Sequence, residues 1–319
     1  LRLYDWTSRD QAEADEKGFC HALVEAGLSF EFVSDHAMTD EMLDRFRVLI
    51  LPNARCLSDA QCALITDWVE RGGNLIVAGE SAMADEDGVP RAECGLARVL
   101  GTRVTVAPRG PVKNTYIELS GDHPVNAGYE GAKRIIGGIR LVGIAADEDA
   151  KTPFLYVPDF PDLPMEEVYP RDAATAPAVV TRQTPSGGRT VHIPWNIGAT
   201  FWDVQAKDHQ RLMENAVRWA LSGPAMVEVT GKGVLEGVAL VTLVNLTNPM
   251  MWKAQIHEIY PVGPLEVSIA LPVGTTGVAA HLPIAENTAD VTLRDGRAIV
   301  IVPHIDIVEA VHLTWEVTA

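Results

Sequence analysis

The chain is short of basic residues, short of cysteine and without long apolar runs, and each shortage removes a class of function. Lys and Arg number 26 against 43 Asp and Glu, giving a formal charge of −17 over 319 residues. A chain this acidic repels phosphate backbones, so no nucleic-acid partner is expected. No apolar run approaches the ~18–20 residues of a helical membrane span, so no membrane partner is expected either. The four cysteines, Cys20, Cys56, Cys62 and Cys94, form no C-x-x-C pair. Cys20 and Cys62 fall inside helical patterns, where cysteine acts as a small buried hydrophobe. A disulfide framework is therefore not expected, and a reducing, cytoplasmic compartment is. There is no internal repeat and no low-complexity tract. The opening "LRLYDWTSRD" is not a signal peptide, and with Leu1 in place of Met the chain is expected to be processed or part of a longer protein.

What is present is an alternation of helical and strand patterns. Residues 9–27 predict a helix on Phe19, Cys20, Leu23 and Val24, with Gly27 suited to a left-handed stop. A short strand is expected over 30–33 and a helix near 40–46. "VLILPN" (48–53) is a continuous apolar run of the kind covered on both faces in parallel sheets. Ser58 with Gln61 forms a capping box, and Leu64, Ile65, Trp68 and Val69 give the buried stripe of the helix it opens. Gly72-Gly73 stops that helix before the strand "NLIVAGE". A short helix is expected over 93–100, then short strands and proline-dense loops to about 183, chiefly 158–170. "GGRTVHIPWNIG" (187–198) returns to the core, and the helix after it places Leu212, Met213, Ala216, Val217, Ala220 and Leu221 on one face.

These patterns predict an α/β domain over 1–223 with a doubly wound, mostly parallel sheet. After Pro224 come strand candidates at 226–229, 238–245, 256–261, 265–271, 277–281, 290–293, 298–302 and 308–315. They predict a smaller antiparallel β-sandwich domain over 224–319. Ligands of doubly wound sheets gather at the carboxyl ends of the strands, which puts Asn53 and Glu80-Ser81 where a site is expected.

Three chemistries compete for that place. "GESAM" (79–83) is one glycine short of a nucleophile elbow, with Met83 in the cramped second position. A serine mechanism would use Ser81 with His192 or His209 as base, yet neither histidine has an acid at a telling spacing. A metal is not expected: the nine histidines make no H-x-x-x-H or H-x-H pair, and "ADEDG" (84–88) lacks the alternating ligands of a calcium loop. No cofactor is expected. The third candidate is the aromatic segment Trp195, Phe201 and Trp202 beside Asn196 and Asp203. It suits a sugar ring, a protein interface or plain core packing. Glu166, Glu167 and Tyr169 could add carboxylates and a hydroxyl to a sugar site.

With those residues in view, a resemblance emerges. "FRVLILPNARCLSDAQCALITDWVERGGNLIVAGESAMADEDG" with "GLARVLGTRV", "HPVNAG", "GGRTVHIPWNIG" and "DHQRLMENAVRWAL" resembles the beta-galactosidase trimerisation domain across roughly residues 10–221. The tail is similar to the small β-sandwich that follows it in bacterial glycoside hydrolases, including beta-galactosidases and alpha-L-fucosidase-like proteins. The resemblance implies a class I glutamine amidotransferase-like, flavodoxin-type fold that has lost its chemistry. In amidotransferases the elbow carries cysteine in G-x-C-x-G, with histidine and glutamate after a later strand. Here that elbow reads Glu80-Ser81, and the later strand gives Val191-His192-Ile193-Pro194 with no His-x-Glu. The implied role is oligomerisation, a trimer by the family, and shaping of a carbohydrate site on a (β/α)₈ barrel outside these residues. The alternatives are a free-standing serine hydrolase using Ser81 and a carbohydrate-binding module using Trp195 and Trp202.

Overall fold

A computed structural model of the chain describes residues 9–28, 30–34, 38–129, 131–158, 160, 173–222, 225–229, 237–245 and 261–317. The chain divides into two compact units, the described parts of 1–22 with 32–222, and of 23–31 with 223–319.

The first unit is a mixed α/β structure. Its elements in chain order are α1 (Arg9–Glu25), α2 (Asp40–Leu43), β1 (Val48–Pro52), α3 (Asp59–Glu70), β2 (Asn74–Ala78), α4 (Ala97–Leu100), β3 (Thr102–Arg109), β4 (Tyr116–Leu119), β5 (Arg134–Ile136), β6 (Leu141–Ala146), β7 (Lys151–Val157), β8 (Ala176–Gln183), β9 (Arg189–Ile193), α5 (Ile197–Val204) and α6 (Lys207–Leu221). Seven strands form one sheet in the order β1-β2-β9-β8-β7-β4-β5, and β3 pairs with β6 in a separate ribbon.

The apolar runs of β1 and β2 are buried because helices cover them. Leu49, Leu51, Leu75 and Val77 pack with Ile65, Trp68 and Val69 of α3 and with Leu96, Val99 and Leu100 around α4. Ile76 alternates to the opposite face and is equally buried. The helix α6 packs against β1, β2 and β9 and buries Leu212, Met213, Ala216, Val217 and Ala220.

Local signals act as the sequence predicts. Ser58 Oγ accepts from the Gln61 N–H at 3.2 Å, and the Gln61 side chain accepts from the Ser58 N–H at 2.9 Å, so the capping box of α3 is closed. At its other end a Cβ on Gly73 would lie 2.3 Å from the Trp68 ring, so only glycine lets the chain turn under that indole. Gly27 follows α1 with φ 64°.

Four expectations are corrected, one of them in the second unit, where 225–229 pairs with 265–269 in parallel instead of antiparallel. Residues 30–34 form no strand. The sheet is not mostly parallel, since only the β1–β2 and β2–β9 pairings are parallel. β9–β8, β8–β7, β7–β4 and β4–β5 are antiparallel. For β9–β8 the reason lies in the connection. A parallel neighbour needs a crossover of a dozen or more residues. Between β8 and β9 there is only a tight turn, closed by the Thr184 N–H on the Gly188 carbonyl at 2.7 Å, so the strands return antiparallel. The third correction is the added strand β14 below. The expected strand at 256–261 and the proline-dense loop with Glu166, Glu167 and Tyr169 lie outside the described residues, apart from the ends of each.

The second unit contains β10 (Ala225–Val229), β11 (Val238–Val244), β12 (Leu265–Ala270), β13 (Thr275–Leu282), β14 (Asn287–Ala289), β15 (Val291–Arg294), β16 (Arg297–Val302) and β17 (Val308–Val317). They make two four-stranded sheets, β10-β12-β16-β15 and β11-β17-β13-β14. Alternate residues Val267 and Ile269, Val300 and Val302, and Val311 and Leu313 are buried. All four cysteines are free thiols. No described helix is long and apolar enough to cross a membrane.

Replacing Ser58 with Ala removes one capping acceptor and strands the Gln61 N–H. The expected loss is about 1 kcal/mol of stability, read as a lower urea midpoint at unchanged slope.

Candidate functional site

The carboxyl ends of the three parallel strands carry a closed cluster of charge. β1 ends at Pro52, and Asn53 then takes a left-handed turn, φ 61°, a conformation asparagine tolerates better than most residues. Its N–H donates to the Ala78 carbonyl at 3.2 Å, which ties the turn to β2. The next turn, after β2, begins at Gly79 with φ 62°, where a Cβ would lie 2.6 Å from Asn53 Oδ1. The Glu80 N–H donates to Asn53 Oδ1 at 2.8 Å. That bond fixes the amide orientation, so Asn53 Nδ2 donates in the other direction, to Asp15 Oδ2 at 2.8 Å.

Asp15 lies on α1 and is fully buried. Its other oxygen accepts the Ala199 N–H at 2.8 Å, at the start of α5. A carboxylate at a helix N-terminus is well placed, since unpaired amides and the helix dipole both favour it. Burial nevertheless dominates: desolvation lifts the Asp15 carboxyl from 3.8 to about 7, against the hydrogen bonds from Ala199, Asn53 and Gly198 that lower it, with Glu80 adding to the rise.

Glu80, only 8% exposed, is held by two arginines. Arg140 donates to Oε1 from Nε at 3.0 Å and from Nη2 at 2.6 Å. Arg55 Nε stands 3.5 Å from Oε2. The Arg140 backbone N–H donates to Asn196 Oδ1 at 2.9 Å, so the residue just before α5 positions the arginine.

The serine has no nucleophile geometry. Ser81 is 1% exposed, its Oγ accepts the Ala54 N–H at 2.8 Å, and its proton points at the carbonyls of Ala78 (2.7 Å) and Leu51 (3.0 Å). The left-handed residues of the turn are Gly79 and Ala82, and the next helix begins only at Ala97. His192 is fully buried and Nδ1 lies 3.1 Å from Thr102 Oγ1, with desolvation pushing its pKa down to about 4. His209 Nε2 lies 2.9 Å from the Ile136 carbonyl, and burial lowers its pKa too. Neither imidazole is a hydrogen-bond partner of Ser81, so the serine-hydrolase constellation expected as an alternative is not assembled.

The aromatic segment divides between core and surface. Trp195 is 3% exposed, donates Nε1–H to the Ala178 carbonyl at 3.0 Å and meets His209 edge-on. Its polar atom is satisfied inside, which makes it a core residue. Asn196 is buried, with its Oδ1 accepting the Arg140 N–H. Trp202 is partly exposed, with the Lys17 ammonium 5.9 Å from its ring centre, and Asp203 beside it is exposed. Trp195 and Trp202 therefore do not present one surface. In the acidic turn, Asp85 Oδ1 accepts the N–H groups of Asp87 (3.0 Å) and Val89 (2.8 Å), a carboxylate used by its own loop. Among the described residues no group of three or more His, Cys, Asp or Glu is arranged to hold a metal ion.

Sequence reasoning placed Asn53 and Glu80 at the strand ends but missed Asp15, Arg55 and Arg140. A signal for Asp15 existed: it precedes Phe19 and Ala22 by four and seven residues, on the apolar face of α1. Arg140 has no local signal.

Known proteins meet this geometry in two ways. Residues 5–130 match the family model described as the beta-galactosidase trimerisation domain. Among solved structures, alpha-L-fucosidase isoenzyme 2 from Paenibacillus thiaminolyticus aligns with TM-score 0.58 at 16% identity, over 96% of this chain and 45% of that one. The beta-galactosidase from Bacillus circulans sp. alkalophilus aligns with TM-score 0.56 at 15% identity, over 94% and 37% respectively. A beta-galactosidase from Rahnella sp. R3 gives 0.52 at 14% identity, over 92% and 36%. At these identities the likeness is one of fold. The chain spans less than half the length of each of these structures. No curated protein matches the chain by sequence.

Two outcomes test the site. Arg140→Met leaves Glu80 buried with only the longer Arg55 contact, and a loss of about 2–3 kcal/mol is expected in denaturant unfolding, part of which Glu80→Gln restores. A fluorophosphonate probe leaves Ser81 unmodified in peptide mass spectrometry.

Proposed function

We propose that the chain is a non-catalytic region of a glycoside hydrolase-like protein whose work is assembly into a homo-oligomer, a trimer by the matched family. The observation that carries this reading is the match of residues 5–130 to a trimerisation domain. It is supported by the strand ends where an enzyme of such a fold would place its nucleophile. There the serine hydroxyl is consumed by backbone, and the space is filled by Asp15, Glu80 and two arginines. Glu80 is answered internally by Arg140 and Arg55, which leaves it little to offer a transition state.

In this reading the first unit is an amidotransferase-like, flavodoxin-type domain, and the second, with its two four-stranded sheets, is a β-sandwich. The domain boundary lies at 223/224. The assembly shapes the entrance to a carbohydrate site on a (β/α)₈ barrel in the same protein, with Glu166, Tyr169 and Trp202 as the residues offered to ligand or partner. Four free thiols suit a reducing, cytoplasmic compartment.

Light scattering coupled to size exclusion tests the central claim. Three times the chain mass is expected at micromolar concentration. A monomer that persists to high micromolar concentration overturns the assembly role.

A further inference from the structure

Strand pairing in the second unit brings together two histidines that lie far apart in sequence. In the pairing of β13 with β17, His281 stands directly opposite His312. Directly opposed residues of an antiparallel pair project to the same face of the sheet. Here that face is the solvent side. Ala280 and Leu282 on β13 and Val311 and Leu313 on β17 are buried, while His281 is exposed and His312 partly exposed. The row continues to Leu240 on β11 and Thr288 on β14, so neither ring has a charged side chain directly beside it on the next strand out.

The spacing suits joint ligation. Opposed Cβ atoms of an antiparallel pair lie about 4.5–5.5 Å apart. An ion held by two imidazoles at roughly 2.0–2.1 Å keeps the two nitrogens about 3 Å apart. Rings inclined toward each other meet that spacing without backbone movement. The strands beneath them are held on both sides. Beyond His281, the Glu309 carboxylate of β17 accepts the N–H groups of Ile284 (3.1 Å) and Ala285 (2.9 Å), which ties the β13–β14 turn to β17. Before His281 the register shifts between Thr276 and Ala279 and resumes at the Ala279–Thr314 pair.

We propose that His281 and His312 form a two-imidazole site for a divalent transition-metal ion of the zinc, nickel or copper kind, which clips β13 to β17. Imidazole nitrogen suits these ions, and water fills the positions the protein leaves open. Among the described residues no third His, Cys, Asp or Glu completes the set, so the site is open and exchangeable, unlike a closed structural centre. Ligation needs the observed register, because a slip of one residue turns one imidazole to the opposite face. An ion that binds only the registered strands therefore stabilises them, by an amount set by its concentration relative to its dissociation constant. The site lies wholly within the second unit and does not rest on the assembly reading.

Zinc titration of the whole chain, followed by calorimetry and by imidazole ring signals in NMR, tests this. His281→Ala and His312→Ala are each expected to weaken zinc binding about a hundredfold, because the second imidazole binds intramolecularly. His304→Ala, which removes an exposed histidine outside the pair, is expected to leave the affinity unchanged. Zinc is expected to raise the unfolding midpoint of the wild type and of neither pair variant. Should a variant not fold, the wild-type spectrum decides: the ring signals of His281 and His312 shift together at one equivalent of zinc if the pair binds. Ring signals that do not move at millimolar zinc, or an affinity that either pair substitution leaves intact, overturn the proposal.

Discussion

One side-chain amide organises the first unit. Asn53 accepts from the backbone of the β2 turn with one atom and donates to a helix carboxyl with the other, so α1, β1 and β2 are set relative to one another by a group only a few ångströms long. Its left-handed backbone and the missing Cβ at Gly79 are what let the amide stand there. Everything else at the strand ends is arranged around that bridge. Glu80 is delivered by it, Arg140 and Arg55 answer Glu80, and Asn196 steadies Arg140.

The cluster also explains why a site in the expected position of an α/β fold is chemically quiet. Reactive groups need an unfilled partner, such as an acceptor waiting for a proton or donors facing an empty place. Here Glu80 has its donors, Ser81 has its backbone bonds, and His192 is sealed in the sheet with a threonine. Burial raises one carboxyl and depresses two imidazoles. Perturbed titration of that kind accompanies structural networks as well as catalytic ones.

Much of the element pattern was legible because it is local. The capping box of α3, the buried run of β1, the stripe of α6 and the alternation of β12 and β16 are each written within a few residues. The sense of the sheet was less legible, because it depends on which strands become neighbours, and the short strands between 102 and 183 carry no local sign of their partners. The aromatic segment could not be assigned to core or surface from sequence for a related reason: exposure is a tertiary property, and Trp195 finds its acceptor at Ala178 on a neighbouring strand. The charged cluster was the least legible. Asn53 and Glu80 are placed together at the strand ends, but nothing nearby in the chain announces that Arg55 and Arg140 meet them, and Asp15 is marked only by its place on the apolar face of α1.

That spread has a bearing on how the chain is made. The bond between Asp15 and Ala199 closes a loop of 184 residues. Contacts so distant in sequence form late, after the intervening segments have ordered. During synthesis the first helix leaves the ribosome long before its acceptor surface exists, and it must wait, amphipathic and acidic, until α5 arrives. The final closure of the domain is therefore a C-terminal event performed on its N-terminal helix.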